Sequence, residues 1–302
     1  MKDVHDIIRE CERRPNEQFA LATLVRARGS SYRRPGARML IARDGRTIGS
    51  LSGGCLEEEV AVLAQEVLRS GRAGLTSFDT RQRFGCNGAI DIFIEPLQKI
   101  FVAELSANLS ARQSCRVETV FEKQAHAGGT RVVAFGESEN EHGFQQTIHP
   151  QPRLIIFGDG PDSDPLRALC AILGWQTIEA AQASELPREA DQWTAAIIKS
   201  HNYGRDFSAL QTLLPMSLRY LGLIGPRRRR DQLMADVLDS GTSANAELFA
   251  PTGLDLGSET PAEIALAIVA EVQRAFAGGT GASLREVKTP IHQAEPWRAA
   301  VF

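Results

Sequence analysis

The apolar positions of the chain change period several times within the first hundred residues. Val4 to Arg13 reads as a short amphipathic helix, and Leu21-Ala-Thr-Leu-Val25 as a strand that ends at Gly29. Strands over 38–43 and 46–50 meet across Asp44-Gly45, a strong signal for a tight hairpin. After Ser52-Gly53-Gly54 the apolar residues Leu56, Val60, Leu63, Val67 and Leu68 recur at helical spacing, and Gly71 supplies the stop. Further strands are predicted over 75–80 and 89–95, where Pro96 ends the pairing. From Leu97 to Gln151 the pattern weakens. It supports a helix near 100–109, strands near 116–121 and 131–135, and a linker through the polar 137–142 stretch and Pro150-Gln-Pro152.

The second half has a different rhythm. Leu154-Ile-Ile-Phe157 is a continuous apolar run, followed by a glycine-rich turn and a helix to Leu173. Similar runs at 175–178, 195–198 and 220–224 are separated by helix-length segments. Strands apolar on both faces, alternating with helices, predict a parallel sheet covered on both sides. The last helix carries its own start signal: Thr260 as N-cap, Pro261 at the first helical position and Glu263 completing a capping box, with Gly278-Gly279 closing it. The expected fold class is therefore α/β: a small N-terminal α/β domain over 1–100, a connecting segment with some secondary structure over 101–151, a Rossmann-like parallel-sheet domain over 152–280, and a C-terminal tail over 281–302.

Composition narrows the function classes. The chain has 302 residues, is 43% hydrophobic and 24% charged, and carries a net charge of −3, which excludes a disordered chain and a globally basic nucleic-acid binder. Of its 34 basic residues only five are lysine, a bias that either reflects genome composition or equips the protein with planar forks for anions. No apolar run approaches the length of a membrane span, and the N-terminus lacks the apolar core of a secretory signal, so a cytoplasmic protein is expected. The five cysteines include no CxxC pair and are expected to be free thiols.

Four motifs could carry chemistry. In Phe157-Gly158-Asp-Gly160-Pro-Asp-Ser163, glycines at 158 and 160 allow a tight turn and close backbone approach to a phosphate, with Ser163 in place of a third glycine. Glu179 lies where a ribose-binding acid belongs, yet Asp159 and Asp162 set negative charge beside the anion site and disfavour a pyrophosphate. In Gly49-Ser-Leu-Ser52-Gly53-Gly54-Cys55 the cysteine stands at a helix start, where the macrodipole favours thiolate, although Glu57 to Glu59 counter that effect. The alternative there is a small buried cysteine in a tight loop. The preceding Ser30-Ser31-Tyr-Arg-Arg34-Pro-Gly36 turn, rich in Arg and hydroxyls, suits an anionic group. Phe84-Gly85-Cys86-Asn-Gly88 repeats the combination of cysteine and glycine, and two such loops fit a ligand or sulfur-handling site better than a preformed zinc site. In the second half His201 and Asp206 follow one strand and Gly225-Pro-Arg227 the next, at the strand ends where open α/β sheets bind ligands. His201 could equally cap a strand, and the Arg227 to Arg230 run could be a solvated helix face.

Taken in order, GSSYRRPGARM, GSLSGGCLEEEV, FGCNGAIDIFIEPL, FGDGPDSDPL, SHNYGRD, YLGLIGPRRRR and APTGLDLGSETPAEIALAIVAE resemble the XdhC/CoxI family of xanthine and carbon monoxide dehydrogenase maturation factors over nearly the whole chain. The sequence departs from the family's pattern at Tyr32, where proline is common, at Asp159 between the two glycines, and at Glu179-Ala-Ala. The resemblance implies an accessory protein, not itself the dehydrogenase, that holds the molybdenum cofactor (molybdopterin). It also implies help with sulfuration alongside a cysteine desulfurase and with delivery to a molybdenum hydroxylase apo-enzyme of the xanthine or carbon monoxide dehydrogenase type. Under this reading Cys55 or Cys86 would contact molybdenum or relay sulfur, and the glycine-rich loops and Arg forks would meet the phosphorylated pterin. Two other readings stay open. One is an NAD(P)-dependent oxidoreductase using the second domain with His201 as acid or base, and the other is a scaffold whose glycine loop binds nothing. A homodimer is the expected assembly, and neither nucleic acid nor membrane is an expected partner.

Overall fold

The computed structural model describes residues 2–79, 88–122, 128–137 and 143–288. They belong to two compact units, Met1–Pro150 and Gln151–Phe302. Among the described residues no helix is long and apolar enough to cross a membrane.

The first unit opens with helix α1 (Lys2–Arg13). Strands β1 (Phe19–Gly29), β2 (Arg38–Ala42), β3 (Thr47–Gly49), β4 (Gly74–Asp79) and β5 (Gly88–Pro96) form an antiparallel sheet ordered β3-β2-β1-β5-β4. The hairpin at Asp44-Gly45 forms where the sequence places it, with Leu40 opposite Ile48 and Gly45 at φ +84°. The two-residue period divides the strands between two cores. Ala20, Ala22 and Leu24 of β1, with Met39, Ile41 and Ile92, cluster with Val60, Ala64 and Val67 of α2 (Glu57–Ser70). The alternate residues Phe19, Leu21 and Leu40 turn to the opposite face and cluster with Val4 and Ile7 of α1, Leu105 of α3 (Lys99–Ser110), Val117 and Ile148.

Val117 and Ile148 belong to a second antiparallel sheet, ordered β7-β6-β8, made of β6 (Cys115–Val120), β7 (Gly129–Val133) and β8 (Gly143–Ile148). The stretch expected as a connector thus carries a helix and three strands that share the first unit's core. The pattern gave no sign of β8, because Gly143-Phe-Gln-Gln-Thr-Ile148 is largely polar and only partly buried. Its Gln146 receives a 2.6 Å hydrogen bond from Arg38, a fully buried guanidinium that also donates to the Gly36 carbonyl at 3.1 Å. Burial pulls Arg38 down to about 10, with the charge of Glu95 pulling it back. Glu95 is itself buried and held by Thr130 N at 3.0 Å and by the Thr130 hydroxyl, and its carboxyl is raised because burial outweighs those bonds.

The second unit is a five-stranded sheet ordered β10-β9-β11-β12-β13, parallel throughout. Its strands are β9 (Arg153–Phe157), β10 (Gln176–Ala180), β11 (Thr194–Ile198), β12 (Tyr220–Leu223) and the short β13 (Leu248–Phe249). Helices α4 (Ser163–Leu173) and α7 (Pro261–Ala277) cover one face through Leu166, Cys170, Ile268 and Val272. On the other face α5 (Tyr203–Leu213) and α6 (Arg227–Asp239) pack Leu210, Leu213, Leu233 and Val237 against Ile155, Phe157 and Ile198. Coverage on both faces explains why β9, β11 and β12 read as apolar runs, whereas β10, at the sheet edge and expected as a similar run, is Gln176-Thr-Ile-Glu-Ala180 and mostly exposed. The chain order of the strands reverses between β9 and β11, so a crevice opens at their carboxyl ends, the position where such sheets bind ligands.

Candidate functional site

In the first unit the glycine-rich loop between β3 and α2 is built around one carboxylate. Glu57, the first residue of α2, turns its side chain back into the loop. Its Oε1 accepts from Leu51 N at 3.0 Å and Ser52 N at 2.7 Å, and its Oε2 from Ser52 Oγ at 2.6 Å and Leu56 N at 3.1 Å. Burial alone would raise this carboxyl, but the hydrogen bonds outweigh it and hold the group below its ordinary value. The same Ser52 Oγ receives Cys55 N at 3.2 Å. The chain of contacts runs from Glu57 through Ser52 to the backbone of Cys55, whose thiol is exposed. The sequence shows the acidic first turn; that one of its glutamates organises the loop appears only in three dimensions.

The other cysteines offer a contrast. Cys115 and Cys170 are buried and Cys11 is partly so, and burial pushes their thiols up to about 11, 12 and 11. Gly85 and Cys86 lie outside the described residues, so the expected pairing of two cysteine loops stays an expectation. Gly88 is needed for close approach, since a Cβ there would stand 2.3 Å from Ser30 O and 2.7 Å from Arg28 O. The hydroxyl-rich turn folds next to the Cys55 loop. Arg33 donates to Ser50 Oγ at 3.2 Å and to Asp3 at 2.5 Å, Ser31 Oγ bonds Arg33 O at 2.7 Å, and the exposed Tyr32 ring lies 3.8 Å from the Cβ position of Gly53. Ser30 is exposed, Ser31 and Arg34 partly so, and Gly36 is buried at φ +96° under Gln146. Of this turn's expected ligand groups, Ser30, Ser31 and Arg34 reach the surface.

In the second unit Gly158 and Gly160 both adopt φ +120°, which a side chain would resist, and a Cβ on Gly158 would meet Ser200 N at 2.7 Å. The turn is closed from beneath by Lys199. This fully buried lysine donates to Asp159 O at 3.0 Å and forms an ion pair with Asp162 at 2.7 Å. Asp159 pairs with Arg205 at 3.0 Å, and Arg205 also donates to Ala181 O at 2.6 Å. Ser163 is buried, and its amide is turned to Gly160 O at 3.2 Å. Glu179, in the place of a ribose-binding acid, is paired with Arg167 at 2.9 Å. The turn borders a cavity of about 400 Å³ lined also by Asp164 and Glu185. A pyrophosphate entering it would meet these carboxylates and find no amide on Pro161, while Lys199 stays fully buried beneath the turn on Asp162. The turn has the strained glycines of a nucleotide-type loop, and the buried lysine beneath it is engaged by the chain's own carboxylate.

His201 is exposed and holds φ +53°, uncommon for a residue with a Cβ, at the reversal of strand order. Asp206 is fully buried, with its carboxylate bonded to Arg229 at 2.5 Å and to Ser200 Oγ, so it braces the loop below His201 and presents no free oxygen to a ligand. Gly225 and Arg227 stand at the start of α6 with Arg227 exposed. Lys199 is the residue that motif reading misses. Its signal is one lysine closing an otherwise apolar strand in a chain with few lysines. Among the described residues no three His, Cys, Asp or Glu side chains gather so as to hold a metal ion.

Comparison with known proteins decides the family. Residues 13–79 match the model of the XdhC and CoxI family, and residues 154–272 match the model of the XdhC Rossmann domain. A Bacillus subtilis protein, named as one of the probable subunits of xanthine dehydrogenase, is 30% identical over 85% of this chain and 92% of its own length. The chain belongs to the XdhC and CoxI family. An Escherichia coli relative named molybdenum cofactor insertion chaperone PaoD is 28% identical over 83% of this chain and 81% of its own length. A crystal structure from Bacillus halodurans, described as a xanthine dehydrogenase, superposes with a TM-score of 0.76 over 94% of this chain and 98% of its own, at 24% identity, and so shares the fold. The first XdhC and CoxI match spans the Cys55 loop. The XdhC Rossmann match spans the glycine turn, Lys199, His201 and the long loop before α7.

Proposed function

We propose that this XdhC and CoxI protein is a maturation factor that holds the molybdenum cofactor as cargo. It would assist the cofactor's sulfuration, with a cysteine desulfurase as sulfur source, and its insertion into a xanthine-dehydrogenase-type molybdenum hydroxylase. The observation that carries this reading is the contrast among the described thiols. Cys55 is exposed on a loop pinned through Ser52 and Glu57, while Cys11, Cys115 and Cys170 are wholly or partly buried with raised thiols. A soft sulfur ligand in the open is the type that suits a soft metal or a sulfur in transit. The name of the Escherichia coli relative supports the cargo.

The groups with room to meet that cargo are Cys55, the exposed backbone of Gly53 and Gly54, Ser30, Ser31, Ser52 and Arg34. Arginine forks and hydroxyls suit the phosphate of a pterin cofactor. The dinucleotide reading is not favoured, because Asp159, Asp164, Glu179 and Glu185 line the cavity where the nucleotide would bind.

Expression in a molybdenum-replete host and purification without air tests the proposal. Bound molybdenum and, after acid oxidation, pterin fluorescence should approach one per chain, and both should fall severalfold in Cys55→Ala with the circular dichroism unchanged. Maturation of a partner hydroxylase should fall in parallel. Molybdenum and pterin absent from the folded wild type, or fully retained by the variant alongside normal maturation, would remove Cys55 from the function.

A further inference from the structure

Among the described residues, three of the five buried side-chain atoms that have no hydrogen-bond partner gather at one place in the first unit. They are Thr23 Oγ1, Arg38 Nε and Arg38 Nη2. The other two are single Nε atoms of Arg229 and Arg274, whose side chains are 22% and 31% exposed. Thr23 and Arg38 are instead enclosed on every side.

The strand pairing brings them together. Thr23 of β1 stands directly opposite Arg38 of β2, and directly opposed residues share a face with Cβ atoms about 5 Å apart. That face is the one on which Leu21 and Leu40 meet Val117 and Ile148 of the second sheet. The three atoms therefore lie between the two sheets, within one unit.

Arg38 engages the protein through Nη1 alone, which donates to Gly36 O at 3.1 Å and to Gln146 Oε1 at 2.6 Å. Its Nε–H and one Nη2–H lie side by side on the other edge of the guanidinium plane, the edge on which a single acceptor can take both. A buried donor left dry carries its whole desolvation penalty, and the penalty is greatest when the donor is charged. Glu95 supplies the nearby negative charge that offsets burial of Arg38, but its oxygens are taken by Thr130 N and the Thr130 hydroxyl, and it is not a partner of the free edge. The charge of Arg38 is thus already matched. What the three groups lack is a compact neutral acceptor. A water oxygen accepts from both N–H groups while one of its hydrogens goes to Thr23 Oγ1, which makes three protein contacts, the usual number for a buried water. A halide could take the same donors, but it would bring a second negative charge toward Glu95 in a shielded interior.

The cluster also lies behind the Arg-rich turn of the first unit. Arg38 holds the Gly36 carbonyl, Gly36 N donates to Leu24 O at 2.7 Å, and a Cβ on Gly36 would stand 2.5 Å from Gln146 Nε2. Fixing the guanidinium fixes the inner end of the Ser30–Gly36 turn.

We infer that the seam between the two sheets is a binding site for one ordered water, held by Thr23 Oγ1, Arg38 Nε and Arg38 Nη2, and that this water together with Gln146 makes Arg38 the inner anchor of the Ser30–Gly36 turn. The inference concerns the first unit by itself and does not depend on the proposed cargo.

Two measurements on the full chain test it. The first is a crystal structure at a resolution that shows waters, from crystals soaked in sodium bromide and recorded at the bromine edge. A water within hydrogen-bonding distance of all three atoms, with no anomalous peak there, is the expected result. A bromide peak at the Arg38 edge, or Nε and Nη2 bonded directly to protein groups, would overturn the inference. The second is hydrogen exchange of the Gly36 and Ala37 amides in Thr23→Val, which keeps the side chain's shape and should fold, with circular dichroism as the check. Exchange should quicken severalfold as the water loses one of its three partners, and the crystal of this variant should show the water weakened or gone. Exchange equal to wild type with the water fully retained would remove Thr23 from the site and refute the three-partner arrangement.

Discussion

Replacing Glu57 with alanine removes an acceptor that four donors share, and its consequence can be worked from the loop itself. Leu51 N, Ser52 N, Ser52 Oγ and Leu56 N lose their partner at once. A hydrogen bond of this kind contributes roughly 0.5–1.5 kcal/mol net, and up to about 3 kcal/mol to a shielded ion. Glu57 is only partly buried, so water can reach the freed amides and the lower range applies. The sum, with partial rehydration, is about 2–4 kcal/mol of local stability. The effect should depend on pH with a definite sign. The folded carboxyl is held below its ordinary value, so its contribution is fully present above the unfolded pKa of about 4.3 and is lost as pH falls through the lower folded value. Wild type and variant should therefore differ most near neutral pH and converge once the pH has fallen below the lowered folded value. Hydrogen exchange read by mass spectrometry on the 49–56 segment is the direct assay, with circular dichroism for the whole protein. Glu57→Gln should fall between the two, since one amide oxygen can still accept while the NH2 group opposes the Leu56 and Ser52 donors. Unchanged protection of the Leu51 and Ser52 amides in Glu57→Ala at pH 7 would refute the argument.

Three further outcomes follow from buried contacts. Lys199→Ala should lower the second unit's stability by about 2–3 kcal/mol, less than for a fully buried pair because Asp162 is 30% exposed, and adding Asp162→Ala should recover part of the loss; urea unfolding followed by tryptophan fluorescence reads this, and a double variant no better than the single would contradict it. Arg38→Met should destabilise the first unit by about 2–4 kcal/mol at neutral pH by leaving Glu95 buried without its compensating charge. Since the Glu95 carboxyl is raised in the folded state, that penalty should be absent below its unfolded pKa and grow as pH climbs through the folded value, so a thermal melt series that worsens toward acid would be the wrong sign. Gly88→Ala should cost about 2–4 kcal/mol, because its Cβ meets the backbone carbonyls of Ser30 and Arg28 and neither can swing aside; a melting temperature equal to wild type would refute the close approach.

Where contacts are local, the residues alone were enough. The capping box at Thr260 and Glu263 forms with Pro261 at the first turn and Gly278 in the left-handed cap, because each partner lies within one helical turn of the other. The Asp44-Gly45 hairpin and the β-α alternation of the second half follow from periods of two and 3.6 residues that any short window displays. The ordered run of motifs likewise reached the XdhC and CoxI family before any geometry. Strand order was beyond such windows. The arrangement β10-β9-β11-β12-β13 depends on which distant segments pair, and β8 hides in polar sequence whose burial depends on the facing strand β6. Site chemistry was hidden for the same reason. Asp206 looked available until Arg229 and Ser200 closed on it, and Lys199 looked unremarkable until Asp162 came within 2.7 Å. Residue type and spacing determined which groups the protein can offer; only the tertiary structure decided which of them are already spent on each other, because electrostatic and hydrogen-bond partners are chosen by distance in space and not along the chain.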